Sequence, residues 1–362
     1  MRGRRLRVLM CCSDIRTFKG GMVTVVKNYL ESEEWKDCFI RFVPTHNEGT
    51  RAEKAACFLA AYLRIVLLLI RRQVDVAHLH MAERGSFYRK AFIAQLCRCF
   101  RVPVILHHHG AEFEEFYASL SDRGKRYVRR IFEQADLNLV LSRRAAVQCR
   151  KKAPGARIRV LYNAVRLPWQ NPYSREAKNL LVLGRLGKRK GTDVLLRTLK
   201  RIDAQLPEGM FCCLCGDGEV QRTQAMVRRL GLEHRIAHIG WVEADEKERL
   251  LKNTAIHILP SYREGLPMSI LETMARGIPN ISSNIAAIPE AITDGENGYL
   301  TEPGDEKTLA DRILRLAKDA ELRERFSGAA YARVRETFNQ KDQIKALERY
   351  YHRAVRGKYR TL

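Results

Sequence analysis

Two glutamates, Glu264 and Glu272, stand eight positions apart around the start of a predicted helix. Pro267 suits the first helical position, because it has no N–H to leave unpaired and its φ is already helical. Gly277 suits the end of the same helix. Glu264 is therefore expected in a loop at the positive helix end, where anions are stabilised, and Glu272 inside the helix. A sugar joined to a diphosphate offers hydroxyl groups to the carboxylates and charge to the anion site; an ordinary surface helix is the alternative.

A basic, glycine-rich loop covers residues 184–191, between a predicted strand and a predicted helix. Gly184 and the other glycines permit close approach of the backbone to a ligand. Arg185 and Lys190 place positive charge where a diphosphate would bind. The loop is not a Walker A motif, because no Gly-Lys-Ser/Thr follows at the required spacing. A merely solvated basic loop is the alternative.

Two shorter glycine motifs also follow predicted strands. Gly20-Gly21 comes after the first strand and before a helix, and Gly216-Asp217-Gly218 comes after a later strand. This geometry suits the approach of a phosphate or a sugar. Ordinary tight turns are the alternative at both places.

The triplet His107-His108-His109 ends another predicted strand. Strand alternation places His107 and His109 on one face. Metal binding needs further ligands at matching spacing, and none is evident nearby in the sequence. A histidine at a strand end beside Gly110 is better explained as a hydrogen-bond partner in a cleft, and a buried, hydrogen-bonded histidine is the alternative.

Strand and helix patterns alternate along the chain, which predicts an α/β fold with parallel sheets. Residues 1–165 form one doubly wound unit and residues 179–335 a second. Residues 166–178 lack periodicity and are interpreted as a linker, and residues 336–362 as a helical tail. Ser142 is expected to cap one helix, and Thr192 or Asp193 another. The pattern indicates two facing nucleotide-binding domains, with ligands at the carboxyl ends of the strands.

The chain of 362 residues has a net charge of +24. Residues 1–165 hold 31 basic and 15 acidic residues, or +16, which leaves +8 for the remainder. Such a field attracts anionic lipid or nucleic acid, and a solvated basic surface is the alternative. No nucleic-acid-binding motif is found.

The apolar run 57–70 contains Arg64 and is too short to span a bilayer, so a buried or interface-lying helix is expected.

The ten cysteines are read as reduced thiols in a cytoplasmic protein, because no signal peptide precedes them. Cys212 and Cys215 have C-x-x-C spacing, but no second ligand pair lies at zinc-site spacing. Core packing is therefore the expected role of this pair.

Taken together, these motifs resemble the retaining glycosyltransferases of family 4, which have the GT-B fold. The resemblance covers nearly the whole chain. It is most specific over residues 184–191 and 260–304, which include Glu264-Gly-Leu-Pro, Glu272-Thr-Met-Ala-Arg-Gly and Ile288-Pro-Glu. It implies two facing Rossmann-like domains, with the C-terminal helix packing back on the first domain.

The resemblance also implies roles for individual residues at a sugar-nucleotide donor site. Arg185 and Lys190 match the diphosphate-binding pair, Glu264 the glutamate facing the donor sugar, and Glu272 the glutamate that binds the ribose. His109 matches a cleft histidine near the transferred sugar. The remaining donor-site positions are glycines and backbone groups: Gly20, Gly21, Gly184, Gly216, Gly265 and Leu266.

The expected reaction is retaining, metal-independent transfer of a sugar from a nucleoside diphosphate to a glycan hydroxyl. Glu264, Arg185, Lys190 and His109 are the expected catalytic residues. No cofactor is implied, and no Asp-x-Asp metal motif occurs in the sequence.

The acceptor is expected to be lipid-linked, in capsule, lipopolysaccharide or exopolysaccharide assembly. The enzyme is expected to be peripheral at the inner face of the plasma membrane. A sugar-nucleotide epimerase or a phosphorylase of the same fold is the alternative, and a nucleic-acid-binding protein a remote one.

Overall fold

The structure is a computed structural model that describes residues 4–357 and 359. The chain divides into two compact units. One holds the residues up to Asn163 together with those from Gln340 onward, and the other runs from Ala164 to Asn339. The last helix of the chain therefore belongs to the first unit.

The first unit contains a parallel sheet of six strands in the order β2-β1-β3-β4-β5-β6. Its strands are β1 (Leu6–Cys12), β2 (Cys38–Pro44), β3 (Val76–Met81), β4 (Val104–His108), β5 (Leu137–Val140) and β6 (Ile158–Val160). Its helices are α1 (Gly21–Leu30), α2 (Arg51–Ile70), α3 (Gly85–Cys99), α4 (Phe113–Ala118), α5 (Asp122–Gln134), α6 (Arg143–Lys152) and the last helix of the chain, α14 (Gln340–Val355).

Polar side chains cap two helices of this unit and attach a third to the sheet. Thr50 and Glu53 form a capping box at the start of α2. The Ser142 hydroxyl accepts a bond from the Ala145 N–H at 2.9 Å, which confirms the predicted cap of α6. In α14, Glu348 accepts bonds from the N–H groups that precede β2, at 2.8 Å. These bonds attach α14 to the first sheet.

The second unit contains a second parallel sheet of six strands, in the order β12-β11-β10-β7-β8-β9. Its strands are β7 (Asn179–Leu183), β8 (Cys212–Cys215), β9 (Ile236–Gly240), β10 (Thr254–Leu259), β11 (Asn280–Ser283) and β12 (Gly298–Thr301). Its helices are α7 (Thr192–Ile202), α8 (Val220–Leu230), α9 (Ala244–Lys252), α10 (Met268–Met274), α11 (Ile288–Ala291), α12 (Glu306–Lys318) and α13 (Ala320–Thr337).

The cap of α7 differs from the prediction. Gly191, with φ of +72°, is the N-cap, and Thr192 is the first helical residue. The Thr192 hydroxyl instead accepts a bond from the Gly187 N–H at 2.9 Å, so it ties the preceding loop to the helix. A side chain at Gly191 would lie 2.0 Å from the Pro260 carbonyl oxygen, which explains why a glycine occupies the cap.

Residues 166–178, interpreted from the sequence as a linker, pack on the second unit. The Tyr173 hydroxyl donates to the Ala255 carbonyl at 3.2 Å, and Ala177 is buried in the core. The ten cysteines are free thiols, and Cys212, Cys213 and Cys215 are buried in β8. Burial raises the pKa of Cys215 to about 12. Across residues 4–357 and 359, no helix combines the length and apolar character needed to cross a bilayer.

Candidate functional site

The carboxyl ends of β7 and β10 meet at the centre of the second sheet. The strand order runs outward through β8 and β9 on one side and through β11 and β12 on the other. The connections therefore diverge between β7 and β10, and a parallel sheet binds ligands at such a point. The loops that follow β7, β8 and β10 lie at this edge.

The loop after β7 is held close to the loop after β8. Gly184 has a φ of +142°, which favours glycine. A side chain at Gly216 would lie 1.9 Å from the Gly184 carbonyl oxygen, so only a glycine lets the two backbones approach this closely. The Leu186 N–H also donates to the Asp217 carbonyl at 2.6 Å. Both glycines thus bring two backbone segments together at the sheet edge.

The loop after β7 also contacts the loop after β10. The Tyr262 N–H donates to the Arg189 carbonyl at 2.9 Å, and the Arg189 guanidinium donates to the Arg263 carbonyl at 3.4 Å. These bonds bring Lys190 and Glu264 to adjacent positions, although 74 residues separate them in the chain.

Lys190 and Glu264 form the central ion pair of this edge. The Lys190 Nζ lies 2.5 Å from Glu264 Oε1, and the side chains are 12% and 7% exposed. The Ser261 hydroxyl donates to the same oxygen at 2.7 Å. Glu264 Oε2 receives no hydrogen bond from the described residues. The carboxylate is thus anchored through one oxygen, and the other remains available to a ligand hydroxyl.

Glu272 lies inside α10, as the sequence predicts, and forms its own ion pair. Its Oε2 lies 2.5 Å from the Nζ of Lys247 in α9. Pro267 precedes the first helical residue rather than occupying that position, because its ψ of 127° is extended. Sequence reasoning missed Lys247, since α9 was not predicted and its charged pattern gave no sign of a site.

Three further predicted residues lie on these same loops. Arg185 extends outward, with its side chain 68% exposed and its guanidinium 4.0 Å from Asp217. The Gly265 carbonyl accepts a bond from the Ala287 N–H at 3.2 Å, and the Leu266 side chain is buried. All the predicted donor-site residues except Gly20, Gly21 and His109 therefore lie in the second unit.

Gly20 and Gly21 lie in the first unit, at the connection from β1 to α1. Gly20 is the N-cap of α1 and has a φ of +143°, and an added side chain would meet no atom within 4 Å. Here the backbone conformation, rather than crowding, favours glycine.

His109, which directly follows β4, belongs to a cluster of four imidazoles with His78 and His80 of β3 and His107 of β4. Its Nε2 lies 2.9 Å from the Nδ1 of His80, and its N–H donates to the Met81 carbonyl at 2.8 Å. His78 Nε2 lies 3.2 Å from His107 Nδ1, and His78 Nδ1 lies 2.7 Å from the Tyr351 hydroxyl. Because His80 pairs with His107 in the strand register, the four rings share one face.

The expectation that no further metal-type ligands lie near the triplet was wrong. His78, His80 and His107 offer ring nitrogens within 4.8 Å of one another, the one such group in the described part of the chain. The buried Nε2 atoms of His80 and His107 have no hydrogen-bond partner among the described residues. Burial lowers the pKa of His78 to about 3, so its ring stays neutral, the form that binds metals. The H-x-H of β3 was the sequence signal for these partners.

Two family models match the chain, one described as "Glycosyltransferase Family 4" over residues 23–168 and one as "Glycosyl transferases group 1" over residues 166–333. An N-acetyl-alpha-D-glucosaminyl L-malate synthase from Bacillus anthracis is 25% identical over 79% of this chain and 76% of its own. The amylovoran biosynthesis glycosyltransferase AmsK from Erwinia amylovora is 28% identical over 74% of this chain and 67% of its own. The structure of HepE from Anabaena in complex with UDP-glucose superposes with a TM-score of 0.72, at 18% identity, over 96% of this chain and 99% of that one.

Proposed function

Because the chain belongs to the family 4 glycosyltransferases and has the GT-B fold, we propose that it transfers a sugar from a nucleoside-diphosphate sugar to a glycan hydroxyl. One observation carries the proposal. The Lys190–Glu264 ion pair lies where the connections of the second sheet diverge, and it offers a cation to a diphosphate and a free carboxylate oxygen to a sugar.

The donor is proposed to bind along the loops of the second unit. Lys190 and the exposed Arg185 contact the diphosphate, because both are cations at the carboxyl edge of the sheet. Glu264 accepts a hydrogen bond from the donor sugar through Oε2. Glu272, held by Lys247 through one oxygen, binds the ribose hydroxyls with the other. The loop containing Gly265 and Leu266 adjoins the sugar.

The close approach of Gly184 and Gly216 supports the site in another way, because it holds the loops after β7 and β8 together at the edge where Arg185 and Lys190 lie. In the first unit, Gly20 and Gly21 are proposed to cover the phosphates. His109 is proposed to contact the transferred sugar, and burial lowers its pKa to about 3, so it would act as a neutral hydrogen-bonding group.

The chemistry is proposed to proceed with retention and without a divalent metal. The bond from the anomeric carbon to the phosphate oxygen breaks, and the negative charge on the leaving diphosphate is stabilised by Lys190 and Arg185. The acceptor hydroxyl attacks from the same face, and its proton passes to the departing phosphate oxygen. In this scheme Glu264 stabilises the positive charge on the sugar; attack by Glu264 as a nucleophile is the less favoured route.

The acceptor is proposed to be a glycan of bacterial surface-polysaccharide assembly, attached to a lipid. The likeness to AmsK, which is named for amylovoran biosynthesis, supports a polysaccharide, and the likeness to HepE supports a UDP-sugar donor. The charge of +16 over residues 1–165 supports attraction to an anionic membrane at its cytoplasmic face.

A donor screen followed by transfer assays tests the proposal. UDP-, GDP- and ADP-sugars are compared by thermal shift, since a ligand at 100 times its Kd stabilises the protein by about 2.7 kcal/mol. With the donor so identified, Glu264→Ala and Lys190→Ala should each lower turnover by at least about a hundredfold.

Glu306→Gln serves as the matched control, because Glu306 forms an equally short ion pair with Arg197 on α7 and α12. The Glu306→Gln variant should transfer the sugar at the rate of the unchanged protein. Near-normal turnover in both Glu264→Ala and Lys190→Ala would refute the assignment.

A further inference from the structure

Helix α2 presents apolar side chains on the face that it turns to solvent. Leu59, Leu63, Leu67 and Ile70 are 59%, 56%, 52% and 60% exposed. Their spacing of four, four and three residues places them on one face of the helix, which we name the α2 face. Ala61, Ile65 and Leu69 are buried on the opposite side. The helix is thus apolar on both faces.

A helix on the surface of a globular protein normally turns charged residues to water. Over residues 55–70, Arg64 is the one charged residue in the sequence of α2. Exposed apolar patches of this kind mark sites that bind a partner or a membrane. We therefore expect the α2 face to bind a partner or a membrane.

Aromatic side chains of α3 lie next to the α2 face, and basic side chains lie beyond them. Helix α3 contacts α2 and exposes Phe92 at 61%. On the same helix, Tyr88 stacks on Tyr127 of α5 with ring centroids 6.4 Å apart. The exposed side of α5 carries basic residues, as does the end of α2: Arg123, Arg126, Arg130, Arg71 and Arg72.

We propose that the α2 face, together with Phe92, docks the first unit onto an anionic lipid bilayer. The leucines and Phe92 enter the boundary between headgroups and acyl chains, and the flanking arginines contact lipid phosphates. This is the binding mode of an interfacial amphipathic helix, which needs apolar area and basic charge together. The inference rests on the proposed function for its lipid-linked acceptor, and adds the surface that holds the enzyme beside it.

Charge complementarity selects a membrane over a second copy of the chain. Two copies that met through the α2 face would bring the arginines of α5 and of the α2 end toward one another, and like charges oppose such contact. An anionic bilayer instead pairs those arginines with phosphates while it buries the leucines. Nucleic acid would satisfy the arginines but leave the leucines in water.

Vesicle flotation tests the surface. The full chain is mixed with vesicles of equal parts phosphatidylglycerol and phosphatidylcholine, or of phosphatidylcholine alone, at about 0.1 M and about 0.5 M NaCl. The protein should bind the anionic vesicles and keep part of that binding at the higher salt, because burial of apolar side chains is not screened. The double variant Leu63→Gln/Leu67→Gln should lower the partition coefficient by at least about tenfold.

Two further variants distinguish the apolar contribution to vesicle binding from the electrostatic contribution. Val147→Gln removes an apolar residue that is 50% exposed on α6, a helix that contributes no residue to the proposed surface, and it should bind like the unchanged protein. Arg126→Gln/Arg130→Gln should weaken vesicle binding at the lower salt concentration. The vesicle binding that persists at the higher salt concentration should be unchanged. Circular dichroism and the Tm show that each variant is folded.

Two outcomes would overturn the inference. One is unchanged vesicle binding by Leu63→Gln/Leu67→Gln. The other is absence of vesicle binding together with a dimer, seen by analytical ultracentrifugation, that the same variant abolishes. Transfer to a water-soluble acceptor should be unaffected by the leucine variant. A protein that binds vesicles but transfers no sugar would refute the proposed function and leave the docking surface intact.

Discussion

Replacing Lys190 by methionine removes the cation that compensates the largely buried carboxylate of Glu264. At 2.5 Å the attraction between the two charges is about 6–7 kcal/mol at an effective dielectric constant of about 20, and desolvation cancels much of it. Methionine keeps the length and volume of the lysine stem, so the change acts mainly on charge. Lys190→Met therefore isolates the cost of leaving one carboxylate unpaired.

Breaking a buried ion pair by removing one partner costs about 3–5 kcal/mol, because the other charge is left buried and uncompensated. Since the two side chains keep 12% and 7% exposure, we expect the free energy of unfolding to fall by about 2–4 kcal/mol.

The double variant Lys190→Met/Glu264→Gln removes the unpaired charge as well. It should be more stable than Lys190→Met alone, with a coupling energy of about 1–3 kcal/mol between the two sites. Urea unfolding of the full chain measures the effect as a change in the free energy of unfolding.

The exposed pair of Arg197 and Glu306 is the matched control, and Arg197→Met should cost about 1 kcal/mol or less. The reasoning is refuted if Lys190→Met costs no more than Arg197→Met. It is also refuted if the effects of Lys190→Met and Glu264→Gln simply add in the double variant.

Three further predictions concern the close approach of two glycines, the buried histidines and the proposed independence from metal. Gly216→Ala should lower stability by about 1–3 kcal/mol in urea unfolding, because its methyl group would lie 1.9 Å from the Gly184 carbonyl oxygen; Gly328→Ala, with open space around it, is the control, and equal stabilities would contradict the reasoning. Burial lowers the pKa values of His78 and His109 to about 3, so the unfolded chain binds protons below pH 6.5 while the folded chain does not. Stability should therefore be complete above pH 6.5 and fall by up to about 1.4 kcal/mol per pH unit for each of these histidines as the pH drops toward 5; a flat urea midpoint over that range would contradict this. Transfer of the sugar should continue unchanged after treatment with EDTA, and a loss that Mg²⁺ or Mn²⁺ restores would contradict the proposed metal-independent reaction.

The alternation of strands and helices could be predicted because it depends on local periodicity. The parallel α/β class and the positions of most strands follow from apolar runs bounded by glycine, proline and polar residues. Ser142 could be identified as a cap because capping involves residues three positions apart. Strand β12 and helix α9 were missed, because a four-residue strand and a mostly charged helix carry little periodic signal.

The partners within the candidate site could not be predicted, because they depend on strand register. Lys190 meets Glu264 only because β7 and β10 are neighbours in the sheet, and His80 meets His107 only because β3 and β4 pair in that register. The motifs identified the residue types and their loops. The distances, and which oxygen of Glu264 is occupied, follow from the tertiary structure.

Helix α2 shows the same division. By itself, the sequence determined an apolar helix that is too short and too interrupted by Arg64 to cross a bilayer, and that is either buried or lies at an interface. Only the tertiary structure decided that Ile65 and Leu69 pack inward while Leu63 and Leu67 face water. The physical reason is that periodicity specifies which residues share a helix face, whereas the packing of the other elements specifies which face is covered.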